Sequence, residues 1–232
     1  MQSSRVGKYE IWYENSEEFY ELKKEIFGEN CYYFDDLSFD YAQDKSMKII
    51  DLGAHIGITV LYFKMLFPKA KIIAYEPVPA NFALLEKNVR ENQLEGVELI
   101  QAVVAPKTGS LVIHEPGGEG AWKSGAGIIP RGWRNIQDGA EIRVSAVGIQ
   151  EVLKNKVDFL KMDIEGMEYE VIRNMGSKMR NILKMIIEVH PRKDHRIGEI
   201  EKILRLNKFK IEIKKDKSSL GRGLARILAT QK

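Results

Sequence analysis

The stretch Lys48-Ile-Ile-Asp-Leu-Gly-Ala-His-Ile-Gly57 decides the fold of this chain. Its two adjacent isoleucines are typical of the end of a buried strand, and an apolar run of helix length, residues 58–67, follows the second glycine. Gly53 and Gly57 allow the backbone to turn sharply and to approach a ligand closely. Strand, glycine turn and helix together predict the first βα unit of an open α/β sheet. The loop of such a unit lies at the sheet edge where these folds bind cofactors.

A second short apolar strand, residues 71–75, ends at Glu76-Pro77. An acidic side chain at the end of the second strand of a βαβ unit can accept hydrogen bonds from both ribose hydroxyls, so Glu76 indicates a nucleoside cofactor. The glycine that makes room for a pyrophosphate is absent, and His55 occupies that crowded position. S-adenosylmethionine (SAM), which has no pyrophosphate, therefore fits this turn better than NAD does.

Three segments resemble the FkbM family of SAM-dependent methyltransferases: residues 51–57 (DLGAHIG), residues 75–77 (YEP) with Asn81, and residues 157–166 (VDFLKMDIEG). The resemblance spans roughly residues 48–191, and Lys161-Met-Asp-Ile-Glu-Gly-Met-Glu168 is its most specific part. It implies an α/β fold with a doubly wound, seven-stranded, mostly parallel sheet of the Rossmann-like methyltransferase type. We expect residues 48–232 to form this domain and to catalyse SAM-dependent methyl transfer.

The resemblance also implies where the cofactor binds. Related enzymes meet the adenine at Gln101 and Ala102, within the third strand predicted over residues 97–105, and His55 replaces the asparagine that is more common in the family. The expected cofactor contacts are Asp51, Gly53, Ala54, His55, Gly57, Glu76, Pro77, Asn81, Gln101, Ala102 and Asp163.

Two side chains at predicted strand ends qualify as the general base that removes a proton from a hydroxyl acceptor. Asp163 follows the strand over residues 157–162, and His190 follows the strand over residues 185–189. With an unperturbed pKa of about 6.5, His190 would accept a proton near neutrality, and we expect it to face the same pocket as Asp163. We assign no metal ligand, although Asp163 with Glu165 could instead shape the pocket or bind a divalent ion.

Residues 1–47 precede the sheet and are rich in aromatic side chains, so we expect them to fold as a helical cap segment packed on the core. Asn15 and Glu18 have the spacing of a capping box at the start of a helix that Gly28 ends. The alternative is that this segment only completes the core. The aromatic residues nearest the sheet, and thus the best pocket candidates, are Tyr32, Tyr33 and Phe34.

Residues 116–140 interrupt the pattern of strands and helices. They hold seven of the 19 glycines and two of the three tryptophans, Trp122 and Trp133. A long loop inside a compact domain is usually either functional or disordered, and the tryptophans favour an ordered state when ligand is bound. We predict a lid over the acceptor, with a flexible insertion as the alternative.

Bulk composition sets further bounds. A chain of 232 residues suits one α/β domain, and Lys plus Arg minus Asp plus Glu gives 36 − 33 = +3, which makes no case for a nucleic-acid or membrane partner. The single cysteine, Cys31, excludes an intrachain disulfide. No apolar run of about 18 residues is present, and the N-terminus lacks a signal-peptide core, so we expect a cytoplasmic protein.

The leading functional hypothesis is O-methylation of a hydroxyl on a sugar or another small metabolite. Enzymes that methylate base nitrogens often carry Asn/Asp-Pro-Pro-aromatic after the fourth strand, where this chain has Asp163-Ile-Glu-Gly166. Two alternatives stay open: an RNA methyltransferase that uses the basic face of residues 208–217, and a non-catalytic nucleoside-binding protein. Nucleic acid is the less favoured partner, and the oligomeric state is left open.

Overall fold

A computed structural model of the chain describes residues 1–33, 46–117, 122–127, 139–190, 197–215 and 224–232. Its strands are β1 (Gln2–Val6), β2 (Tyr9–Tyr13), β3 (Lys48–Leu52), β4 (Lys71–Tyr75), β5 (Val97–Ile100), β6 (Val103–Ala105), β7 (Gly109–Glu115), β8 (Ala140–Gly148), β9 (Val157–Met162), β10 (Ile182–Val189), β11 (Phe209–Lys215) and β12 (Ala225–Gln231). Its α-helices are α1 (Ser16–Lys23), α2 (Ile58–Leu66), α3 (Pro79–Glu91), α4 (Ile149–Val152), α5 (Glu168–Asn174) and α6 (Ile197–Leu206). A π-helical turn (Lys24–Gly28) continues α1, and 3₁₀ turns cover Lys123–Gly125 and Gly176–Asn181. None of the helices described is long and apolar enough to cross a membrane.

Seven strands form the central sheet in the order β11-β12-β10-β9-β3-β4-β5. The strands from β10 to β5 are mutually parallel, whereas β12 runs antiparallel to both of its neighbours. The chain proceeds outward from β3 in both directions, and in doubly wound sheets ligands bind beyond the carboxyl ends of the strands at this switch point. The predicted seven-stranded, mostly parallel sheet is confirmed.

Three further strands form a second sheet in the order β6-β8-β7. It includes β6, which the sequence predicted as part of a strand of the central sheet. The single strand predicted over residues 97–105 is wrong, because β5 ends at Ile100 and β6 pairs with β8 instead. The amide of Ala102 donates to the carbonyl of Ile100 at 3.0 Å, which turns the chain from one sheet to the other. Gln101 is exposed at this turn, while Ala102 is buried.

Alternate residues of the central strands supply the two cores on either side of the sheet, as the two-residue period of a strand requires. Ile49 and Phe159 belong to the core that contains α2 and part of α3. Ile50 and Leu160 belong to the opposite core, with α5 and α6. Buried side chains of β1, β2 and α1 lie in the first of these cores, so the described part of the N-terminal segment packs on the sheet domain.

A fully buried asparagine, Asn88 of α3, joins the N-terminal hairpin to the sheet domain. Its Oδ1 accepts the N–H of Trp12 at 2.7 Å, and its Nδ2 donates to the carbonyls of Trp12 at 3.0 Å and Ile56 at 2.8 Å. Three main-chain groups from two distant segments are therefore satisfied by one side chain. A domain boundary at residue 47 stays a prediction, and residues 34–45, which include Phe34, lie outside the described ranges.

We predict that Asn88→Ala lowers the free energy of unfolding by about 2–3 kcal/mol, because buried main-chain groups lose their partners. Urea denaturation followed by circular dichroism measures this change. Glu86→Ala is the matched control, since Glu86 is an exposed residue of the same helix. Equal stability of the two variants would show that this asparagine does not fasten the N-terminal segment.

Candidate active site

The glycine turn after β3 is shaped by its close approach to β9. Gly53 has a φ of 81°, which favours glycine, and a Cβ at this position would lie 1.9 Å from the main-chain oxygen of Asp163. The amides of Gly53 and Ala54 both donate to the carbonyl of Tyr75, at 3.0 and 2.9 Å. His55 adopts a φ of 50°, in the left-handed region. The turn is therefore fixed between the ends of β4 and β9.

A cavity of about 820 Å³, a volume that includes the space at its open mouth, is lined by residues that follow β3, β4 and β9. It lies at the carboxyl edge of the sheet, where the sequence predicted the cofactor. The predicted cofactor contacts that line it are Gly53, Ala54, His55, Glu76, Pro77, Asn81, Ala102 and Asp163.

Three other predicted contacts lie outside the cavity wall. Gln101 points to solvent. Gly57 precedes α2 with a φ of 90°, and a Cβ there would lie 2.7 Å from the side chain of Leu85, so this glycine is needed where α2 packs on α3. Asp51 is fully buried. The structure gives Gly57 and Asp51 structural roles, and contact between these residues and a cofactor stays a prediction.

Glu76 is a buried carboxylate that is almost saturated with hydrogen bonds. Its Oε2 accepts the N–H of His55 at 2.9 Å, and its Oε1 accepts the N–H of Val78 at 3.0 Å and Nδ2 of Asn81 at 3.3 Å. A carboxylate offers about four acceptor sites, so about one remains for a ribose hydroxyl rather than the two that the sequence predicted. Burial raises the pKa of Glu76 to about 7 against the opposing effect of these donors.

A buried lysine, Lys161 of β9, connects the glycine turn to the acidic residues around it. Its Nζ donates to the carbonyl of Gly53 at 2.5 Å, and it lies 3.2 Å from Oδ1 of Asp51 and 3.6 Å from Oδ2 of Asp163. Asp51 also accepts a short hydrogen bond from the hydroxyl of Thr59 in α2. Burial disfavours the ammonium, but Asp51 and Asp163 outweigh burial and raise the pKa of Lys161.

Three potential metal ligands, Asp163, Glu165 and His190, converge after β9 and β10. Nε2 of His190 lies 3.9 Å from Oδ1 of Asp163 and 3.5 Å from Oε2 of Glu165. On the other side of the ring, Nδ1 lies 2.9 Å from Oε1 of Glu168. Burial raises the pKa of Glu165 to about 8, opposed by His190 and reinforced by Asp163 and Glu168.

His190 differs from its predicted state in two respects. Its side chain is only 4% exposed and does not line the cavity. The expected unperturbed pKa of about 6.5 is wrong, because although burial lowers it, the carboxylates of Glu165, Glu168 and Asp163 raise the pKa of this imidazole well above its usual value. Asp163 lines the cavity and His190 does not, and which of the two acts as the base stays a prediction.

The N-terminal helix reaches the cavity through Glu18. Asn15 caps α1 as predicted, since its Oδ1 accepts the N–H of Glu18 at 3.1 Å. The buried carboxylate of Glu18 accepts the N–H of Ser124 at 2.7 Å, and its Oε1 lies 3.7 Å from Nε2 of His55. Part of the loop predicted as a lid, residues 122–127, is thereby held beside the glycine turn.

The aromatic and loop predictions are tested only in part. Tyr32 lines the cavity, with its ring centroid 5.6 Å from Nζ of Lys161, whereas Tyr33 does not line it. Residues 118–121 and 128–138 of the loop, which include Trp133, lie outside the described ranges.

Two residues of this site were missed in the sequence, and only one of them had a signal. Lys161 interrupts the apolar run of β9, and a lysine inside a buried strand requires a carboxylate partner. Glu18 showed only its capping-box spacing, because its partner Ser124 lies 106 positions away along the chain.

Comparison with known proteins finds methyltransferases that are similar to this chain. The methyltransferase FkbM domain matches residues 51–211, more than two thirds of the chain. Methyltransferase 1 of Beauveria bassiana is 27% identical over 186 residues, which cover 72% of this chain and 71% of that protein. The 31-O-demethyl-FK506 methyltransferase FkbM of Streptomyces tacrolimicus is 23% identical over 237 residues, 90% of this chain and 88% of that one. A solved rRNA methylase from Streptococcus thermophilus shares the fold, with a TM-score of 0.50 and 9% identity over 84% of this chain and 94% of that chain.

Fold and site together define a SAM-dependent methyltransferase. Within that class, the chain belongs to the FkbM methyltransferase family. The cavity fits SAM, since a carboxylate with a remaining acceptor site, Glu76, stands near the small apolar surfaces of Ala54 and Ala102. Where the turn approaches β9, only glycine leaves enough room.

We predict that Lys161→Met lowers the free energy of unfolding by about 3–5 kcal/mol, because Asp51 is left charged and unpaired in the interior. Chemical denaturation measures the loss. The double variant Asp51→Asn with Lys161→Met should regain part of it, since the uncompensated charge is gone. Lys156→Met is the control, because Lys156 is exposed just before β9. A loss no larger than that of the control would contradict a central role for Lys161.

We further predict a pH dependence of stability from Glu76. Its pKa rises from 4.5 to about 7 on folding, so the folded state binds the proton more tightly and its stability falls as the pH rises through this window. The change amounts to at most about 3 kcal/mol. Thermal denaturation of the cofactor-free protein between pH 4.5 and 8 should therefore show a smaller decline for Glu76→Gln than for wild type. Glu86→Gln, on the exposed face of α3, should retain the wild-type decline.

Proposed function

We propose that this methyltransferase transfers a methyl group from SAM to a hydroxyl oxygen on a sugar or another small metabolite. The observation that carries the proposal is the position of Asp163. Its carboxylate follows β9, lines the cavity beside the glycine turn, and keeps 25% of its side chain exposed while Lys161 holds it at 3.6 Å.

On the cofactor side, the chain supplies a fixed turn and one strong acceptor. Gly53 and Ala54 would face the amino-acid part of SAM, Glu76 would accept a hydrogen bond from the ribose, and Pro77 and Ala102 would border the adenine. Bound SAM supplies an electrophilic methyl group on a sulfonium. The acceptor oxygen must therefore be held in line with the breaking carbon–sulfur bond, and such positioning contributes much of the rate.

On the acceptor side, Asp163 would orient the hydroxyl and take up its proton as the new carbon–oxygen bond forms. A positioned general base contributes about 10²–10⁴-fold to such a reaction. Lys161 restricts the carboxylate to one side of the cavity, since it bonds the neighbouring Gly53 carbonyl at the same time. His190 is too buried to touch the acceptor directly.

The cavity favours a small acceptor over RNA. Side chains from the N-terminal segment, among them Ile26 and Tyr32, line it together with residues 123, 124, 126 and 127 of the loop. The basic face of β11 is separated from β9 by two strands, about 15 Å at ordinary strand spacing, and its Lys214 pairs with Glu212 at 3.7 Å. The name of the Streptomyces relative specifies an O-demethylated small molecule, which supports oxygen as the acceptor atom.

The loop over residues 116–140 remains our proposed acceptor lid. Its described part lines the cavity and is fastened at two points, the Ser124 amide to Glu18 and the carbonyl of Lys123 to Nδ2 of Asn81 at 3.3 Å. Both partners belong to segments that also contact the cofactor turn or Glu76. Closure of the loop and order at the cofactor site would therefore be linked.

Acceptor turnover tests the proposed function directly. Calorimetry should show that SAM and S-adenosylhomocysteine bind and that NAD does not, and a panel of hydroxylated metabolites should include one that drives conversion of SAM to S-adenosylhomocysteine. Methylation of RNA that weakens steeply with salt, without turnover on any small hydroxyl compound, would overturn the choice of acceptor. Binding of SAM without turnover on any acceptor would instead favour a binding protein.

Asp163→Asn should lower turnover by about 10²-fold or more, because the amide cannot take up the acceptor's proton. Affinity for S-adenosylhomocysteine, which carries no sulfonium charge, should change little. Calorimetry with SAM and with S-adenosylhomocysteine therefore separates loss of the base from loss of cofactor binding. Glu141→Gln serves as control, since Glu141 is an exposed carboxylate of β8. Near-full activity of Asp163→Asn would rule out Asp163 as the base.

A further inference from the structure

We propose that Asp163, Glu165 and His190 hold one divalent metal ion at the acceptor end of the cavity. The ion would bind the acceptor hydroxyl, so this proposal rests on the proposed function and deepens it. Asp163 and Glu165 line the cavity, whereas His190 stands behind them at the end of β10. The three side chains thus reach one point from two adjacent strands.

The separations of the three ligand atoms fit a shared ion. Nε2 of His190 is 3.9 Å from Oδ1 of Asp163 and 3.5 Å from Oε2 of Glu165. One potential ligand atom from each of the three residues lies within 4.8 Å of the other two. These distances exceed the 2.7–3.2 Å range of N–H···O hydrogen bonds. Ligands held about 2.1 Å from one ion lie roughly 3–4 Å apart, so the gap has the size that a cation between them would need.

The opposite edge of the imidazole is already oriented for this role. Nδ1 lies 2.9 Å from Oε1 of Glu168, an oxygen that also accepts the N–H of Gly166 at 3.0 Å. A carboxylate that accepts Nδ1–H fixes the ring and turns Nε2 towards Asp163 and Glu165, which is the usual support of a ligating histidine. A second proton on Nε2 would pair the ring with Asp163 and Glu165, and a metal ion would take the place of that proton between the same atoms.

Glu165 gives an independent indication. Its Oε2 is sealed from solvent and accepts no hydrogen bond from any residue that the structure describes. Its backbone has a φ of 48°, in the left-handed region, and a Cβ on Gly127 would lie 2.4 Å from its main-chain oxygen. The chain therefore holds a buried carboxyl oxygen in place with Nε2 of His190 3.5 Å away, beyond hydrogen-bond distance, and a cation between these two atoms would offset the burial.

Two carboxylates and one imidazole favour an ion that accepts both oxygen and nitrogen ligands, of which Mn²⁺ is our choice. Three protein ligands leave coordination positions open towards the cavity, where the acceptor oxygen would bind. The bound hydroxyl would lose its proton to Asp163 or to solvent. Its oxygen would then form the bond to the methyl carbon as the carbon–sulfur bond breaks and the electron pair stays on sulfur.

Metal binding can be measured without turnover. Protein stripped with chelator should bind about one Mn²⁺ per chain in a titration followed by electron paramagnetic resonance, and pulsed spectra of the bound ion should show coupling to an imidazole nitrogen. Glu165→Gln and His190→Gln should each weaken binding by about tenfold or more, and Glu168→Gln by about tenfold. Glu141→Gln should bind as wild type does, since Glu141 is an exposed carboxylate outside the cluster.

The wild-type spectra keep the proposal testable even if a variant fails to fold. No Mn²⁺ bound at millimolar concentration, or bound Mn²⁺ without nitrogen coupling, would overturn it and leave the cluster as a set of ion pairs. Calorimetry with SAM on the stripped protein separates this outcome from failure of the proposed function. SAM that binds while Mn²⁺ does not would reject only the metal site, whereas absence of SAM binding would reject the function.

Discussion

The ammonium group of Lys161 is the interaction on which the cofactor edge of this sheet depends. It lies within β9, yet it binds the carbonyl of Gly53 and pairs with Asp51, both at the end of β3. Neither the buried carboxylate nor the buried ammonium would be tolerated alone, because each would lose several kcal/mol of hydration without compensation. The pair therefore fixes the register of the turn relative to β9 and places Asp163 beside it.

Much of the fold could be predicted because its signals are local. Two glycines marked the turn after β3, and the apolar run over residues 58–67 marked the helix that follows it. The switch from β5 to β6 could not be predicted, because residues 97–105 read as one apolar run. Their division between two sheets depends on pairing between β6 and β8, which is distant in sequence.

A site residue could be predicted where its position at the end of a strand determines its role. It could not be predicted where its role depends on side chains that are distant in the sequence. Glu76 follows β4, so its place at the cavity follows from the topology of parallel strands. The titration of His190 could not be foreseen, since it depends on Glu165 and on Glu168, which α5 brings within 2.9 Å of the ring. Glu18 likewise acquires its function only when α1 packs against the loop.

The distribution of charge along this edge bears on which acceptor it can accommodate. Lys161 faces Asp51 and Asp163, Arg226 of β12 faces Glu188 across the strand pair at 3.0 Å, and His190 faces the remaining carboxylates. Among the described residues at this edge, the acidic groups are Asp51, Asp163, Glu165, Glu168 and Glu188, and the basic groups that face them are Lys161, His190 and Arg226. The acidic groups are thus the more numerous. Asp163 keeps a quarter of its side chain exposed, and a carboxylate there would repel the phosphates of RNA but not a neutral hydroxyl, in keeping with the small acceptor that we propose. A divalent ion between Asp163, Glu165 and His190, as we propose, would offset the same acidic groups.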